Sequence, residues 1–68
     1  MRIEIEPHCN EVHKIVISDH PAASRGVKKV VGHCGKTGNV LFIRQHGLEL
    51  PEMEQVFQYV KEWQQRGV

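Results

Sequence analysis

Hydrophobic and polar positions alternate at the start of the chain. Arg2-Ile3-Glu4-Ile5-Glu6 has period two, which places Ile3 and Ile5 on one side of a strand and charge on the other. Pro7 stops that run. A second, β-branched run from Val12 to Ser18 puts His13, Ile15 and Ile17 on one face and Val12, Lys14 and Val16 on the other. Residues 7–11 are the natural turn between the two runs, so a β-hairpin is the simplest pairing.

The segment from Ser18 to Gly35 has two readings. Ala23, Val27, Val30, Val31 and Cys34 recur at i, i+4, i+7, i+8 and i+11, the stripe of an amphipathic helix. Ser18 or Asp19 caps it, Pro21 sits in its first turn and Gly35 stops it. Gly26 and Gly32 each cost ~1 kcal/mol inside a helix, and Val27 to Val31 also reads as a strand leading into a Gly-Lys-Thr-Gly-Asn turn. Because Val-Lys-Lys-Val-Val breaks period two, the helix is the preferred expectation.

The last third has two further elements. Val40-Leu41-Phe42-Ile43 is an apolar run that reads as a strand buried on both faces, at the centre of the sheet. From Pro51 to Arg66, Met53, Val56, Phe57, Val60 and Trp63 form a helical stripe that packs as core. Glu52 and Glu54 suit the positive N-terminus, Glu62 and Arg66 form an i,i+4 pair, and Gly67 ends the helix. The expected fold is a single α+β domain spanning residues 1–68, a three-stranded mixed sheet with two helices in the order ββαβα. The right-handed crossover makes its second and third strands parallel. The alternative is a four-stranded meander followed by the C-terminal helix.

Size and charge narrow the function. A core built from 68 residues supplies only ~3–5 kcal/mol without a metal, a disulfide or a second subunit. A homodimer is therefore expected, also because a small sheet leaves an exposed edge. With 40% hydrophobic and 25% charged residues the chain is globular rather than disordered. No apolar run approaches ~18 residues, so a membrane partner is not expected. With no signal peptide read at the start, the expected location is cytoplasmic. The net charge of +1 conceals a division. Both ends are net acidic, whereas Arg25, Lys28, Lys29, Lys36 and Arg44 lie between Asp19 and Glu49 with no acid among them. In a helix spanning 20–34, the first three would stand opposite the apolar stripe and make a basic patch for an anionic partner, nucleic acid or an acidic protein. No aromatic residue is interleaved with them for base stacking.

Two His-Cys dipeptides, His8-Cys9 and His33-Cys34, hold every cysteine of the chain. Cys9 and His13 with His33 and Cys34 supply the ligand types of a structural zinc site, with His46 or His20 as further donors. No two-cysteine knuckle is present, and adjacent residues of a strand point to opposite faces. The plain alternative makes Cys34 a small core residue and Cys9 a turn residue.

Segment 33–39, His-Cys-Gly-Lys-Thr-Gly-Asn, resembles the His-Cys loop of cysteine-dependent phosphatases. That resemblance implies a Cys34 thiolate nucleophile with loop amides around a phosphate. Position 40, where the family's arginine would follow, is Val40. Gly35-Lys36-Thr37 also echoes a Walker loop, but Val30 stands where that loop needs glycine. The chain is thus expected to be a small non-catalytic interaction or regulatory domain that binds an anionic partner through residues 25–44. A zinc-stabilised module and a Cys34-dependent hydrolase are the alternatives.

Overall fold

The computed structural model describes residues 1–23 and 27–66, and its elements are four strands followed by one helix. These are β1 (Arg2–Cys9), β2 (Val12–Ser18), β3 (Lys29–Cys34), β4 (Leu41–Phe42) and α1 (Leu50–Arg66). The sheet order is β1-β2-β3-β4 and every pairing is antiparallel. The fold is therefore the meander with a C-terminal helix, not the mixed three-stranded sheet with two helices.

The alternating run at the start forms β1 as its pattern requires, but the strand continues past Pro7. Pro7 pairs with His13 and Cys9 with Val12, so His8 is an extra residue bulged out of β1. Proline is tolerated there because β1 is an edge strand. The turn shrinks to Asn10 and Glu11, with Asn10 in the left-handed region at φ 48°.

The expected helix over residues 18–35 is corrected by β3. Residues 24–26 of that expectation lie outside the described residues, and the spacing of Val31 and Cys34 came from a bulge rather than from helical periodicity. Ile15 faces Gly32 and Val16 faces Val30, which leaves Val31 as an extra residue in β3. Two neighbouring residues of a bulge oppose one on the partner strand, so the period-two count slips by one. Val31 and Cys34, three apart in sequence, consequently both enter the core. Residues 19–23 form only a short turn, in which the Ala23 N–H donates to the His20 carbonyl at 3.0 Å.

The run at 40–43 is also a strand in the wrong place for its expected role. β4 has two residues and lies at the edge of the sheet, with Leu41 70% exposed. Gly32 permits the approach: a Cβ there would stand 2.5 Å from the Leu41 carbonyl oxygen.

Helix α1 packs on one face of the sheet through Val56 and Val60, both fully buried. They meet Ile15, Ile17, Val31, Cys34 and Leu48, with Ile3, Ile5, Val40, Phe42, Met53 and Trp63 around this centre. Phe57, expected in the core stripe, stays 36% exposed at its margin. Its ring lies 5.0 Å from Lys61 Nζ. The helix begins with one half of a capping box, the Glu49 N–H donating to Glu52 Oε1 at 3.1 Å. The expected stop at Gly67 lies outside the described residues.

Candidate functional site

The basic segment does not gather on a helix face. Lys28 precedes β3, yet its Nζ donates to Glu4 Oε2 at 2.7 Å and to Glu6 Oε2 at 3.1 Å on β1. Since β2 lies between those strands, the Lys28 stem must cross it on the face away from the helix. Val16, opposite both Glu4 and Val30 in register, is only 3% exposed on that helix-free face. The aliphatic stem of a lysine covers apolar surface in this way while its ammonium stays wet. Hydrogen bonding to Lys28 holds the Glu4 carboxyl below its ordinary value and raises the Lys28 ammonium above its own.

The remaining cations diverge. Lys29 lines an open cleft of about 590 Å³ with His20, Gly47, Glu49 and Glu52 at the start of α1. Lys36 is exposed in the β3–β4 connection, which is tied near the other end of α1. There Gln64 Nε2 donates to the Gly35 and Gly38 carbonyls at 3.0 and 3.3 Å. From Glu49 to Gln64 the helix rises roughly 22 Å, so Lys29 and Lys36 lie at opposite ends of the domain. Arg44 is exposed just after β4, and Arg25 lies outside the described residues. What the meander does collect is sign. Glu4 and Glu6 lie on the β1 edge with the Lys28 ammonium on their carboxylates, while residues 29–48, which build the β3–β4 side, carry Lys29, Lys36 and Arg44 and no acid.

The two His-Cys dipeptides are divided by the sheet. His8 and His33 meet, their ring centroids 5.3 Å apart, whereas Cys9 is exposed and Cys34 is buried. Cys34 faces His13 across β2 and β3 on the helix side. His33, one residue earlier, points to the other face. The ligand set Cys9, His13, His33 and Cys34 does not converge on one point. Burial pushes the Cys34 thiol above its ordinary pKa, the reverse of what a thiolate nucleophile needs. The His13 ring packs edge-on to Trp63 at 4.9 Å, and its buried Nδ1 has no hydrogen-bond partner among the described residues.

Comparison with protein-family models, curated proteins and solved structures gives no match for this chain.

One polar centre was not foreseen. His20 Nε2 lies 2.5 Å from Glu52 Oε2, while His20 Nδ1 accepts the Ala22 N–H at 3.0 Å. A ring that accepts at Nδ1 donates from Nε2, so the neutral tautomer satisfies both contacts. The second Glu52 oxygen takes the Glu49 N–H. Through these contacts His20 and Glu52 clamp the β2–β3 connection to the start of α1. Glu49-x-x-Glu52 was readable as a half capping box, but its histidine partner, 32 residues away, carried no local signal. His46 repeats the local motif, its Nδ1 accepting the Leu48 N–H at 2.9 Å. Among the described residues no helix is long and apolar enough to cross a membrane.

Proposed function

We propose that this chain is a small non-catalytic interaction domain that binds an anionic partner, nucleic acid or an acidic protein, along its β3–β4 edge. The observation that carries the reading is the pairing state of the cations. Lys28 is engaged by Glu4 and Glu6, but Lys36 and Arg44 are exposed and have no carboxylate within ion-pair distance among the described residues. Unpaired cations on an acid-free edge attract anions and release counterions when they meet phosphates. Lys28 then serves as framework, Lys36 and Arg44 as contacts, and Arg25 joins them on its place in the sequence.

The test is fluorescence anisotropy with a short labelled DNA duplex and, separately, a labelled acidic peptide across a salt series. Affinity for at least one probe falls with salt, with a log–log slope of about −2 for two phosphate contacts on the duplex. Lys36→Glu with Arg44→Glu weakens that probe about tenfold or more. Binding that ignores both salt and the double substitution, or no binding to either probe, refutes the proposal.

A further inference from the structure

Strand β1 is the longest in the sheet, eight residues, and among the described residues it pairs with β2 alone. Its outer edge therefore presents a row of unpaired backbone N–H and C=O groups, a template for another strand. Ile3 and Ile5, which complete the core on this side, are only half-buried. The occupant that suits this edge is read from its charges.

An antiparallel partner that keeps its apolar row on the helix side must bring Ile opposite Ile and charge opposite charge. A second copy of β1, related by a two-fold axis at Glu4, does so. Ile3 then faces Ile5 of the other copy twice, and Arg2 faces Glu6 twice. Glu4 meets Glu4 on the axis, where each carboxylate already holds the Lys28 of its own copy at 2.7 Å. Pro7, which has no N–H to donate, falls at the periphery opposite Met1. Moving the axis one pair along, to Ile5, sets Glu4 against Glu6 twice and removes the Arg2 contacts. Arg2 itself is exposed and makes no ion pair among the described residues.

We propose that the protein forms a two-fold homodimer in which β1 pairs antiparallel with β1 of a second copy, centred on Glu4 and locked by reciprocal Arg2–Glu6 pairs. The product is one eight-stranded sheet with a helix of each copy on the same face. The two half-buried Ile rows become one continuous strip, and the basic β3–β4 edges lie at the two far ends. Such an interface is isologous and closes at two copies, so it consumes the β1 edge rather than propagating along it. This assembly does not depend on the anion-binding reading.

Sedimentation analysis of the full chain and its charge variants tests it. The unaltered protein and Arg2→Lys sediment as dimers. Arg2→Glu, which sets one carboxylate against another at both Glu6 contacts, raises the dimer dissociation constant about tenfold or more. Glu6→Arg does the same by setting two arginines against each other. An equimolar mixture of Arg2→Glu and Glu6→Arg recovers a heterodimer, because both cross-axis pairs between positions 2 and 6 are then opposite in sign. Circular dichroism establishes that each variant is folded; should Glu6→Arg not fold, the contrast between Arg2→Lys and Arg2→Glu decides alone. A monomer at every concentration, or an Arg2→Glu protein as dimeric as the unaltered one, overturns the proposal.

Discussion

Lys28 and Glu4 are joined across β2, Nζ to Oε2 at 2.7 Å, from the segment before β3 to the β1 edge of the sheet. The contact ties the segment leading into β3 to the β1 edge over the one sheet face that has no helix, the face on which Val16 is 3% exposed. A lysine in the basic part of the sequence thus works as a structural latch.

The latch sets an acid limit on stability. The carboxyl of Glu4 is held below its ordinary value of 4.5, first by hydrogen bonding to Lys28. That of Glu52 is held below 4.5 as well, first by the Glu49 N–H and then by His20. A carboxylate whose pKa is depressed by folding contributes stability that is fully present above its unfolded value and is lost as pH falls through the folded one. Denaturant titrations at a series of pH values from neutral downward should therefore show stability dropping below about 4.5. Lys28→Ala should flatten part of that drop, and an identical pH profile in the variant would remove Glu4 from the explanation.

Gly32 marks where β3 and β4 come closest. Alanine there places its Cβ 2.5 Å from the Leu41 carbonyl oxygen, a backbone atom that cannot swing away. Gly32→Ala should destabilise by about 1–3 kcal/mol, the usual cost of overpacking. Thermal or urea unfolding reads it directly, and a neutral effect would mean that β4 does not pair as described.

The core is small enough for one truncation to matter. Ile15 is fully buried against Val31, Val56 and Val60. Ile15→Ala should cost ~2–5 kcal/mol, comparable with the ~3–5 kcal/mol that a core of this size supplies. The expected result is a chain largely unfolded at room temperature by circular dichroism.

The cysteines should behave as two different reagents. Cys9 is exposed, while Cys34 is buried with its thiol pKa raised. Native protein treated with a thiol-reactive chromophore should modify one cysteine promptly and the second only in denaturant. Prompt reaction of both would place Cys34 outside the core.

How much of this was legible follows from where periodicity survives. In the β1–β2 hairpin Ile3, Ile5, Ile15 and Ile17 stand at period two and in α1 the core residues stand at helical spacing, so both elements could be read along the chain, but not the His8 bulge that carries β1 past Pro7 to Cys9. β3 could not, because the bulge that leaves Val31 unpaired sets Val31 and Cys34 on one face three residues apart, the spacing a helix also gives. The strand at 40–43 was visible as apolar, but its place at the edge depends on Gly32 and on only two paired residues. For the candidate site the sequence showed the acid-free middle segment. It hid the partners of Lys28, 24 and 22 residues away, and of His20, 32 residues away. The first of these pairings is set by the sheet order and the second by how α1 packs on the sheet.

The measurement that bears most directly on the proposed function is a backbone amide NMR titration of the native chain with the short DNA duplex or the acidic peptide. Resonances of Lys36, Arg44 and the β4 residues between them should shift progressively, those of Glu4, Glu6 and Lys28 should stay nearly still, and added salt should reverse the shifts. Shifts centred on the β1 edge or on α1, or none with either probe, would contradict anion binding along the β3–β4 edge.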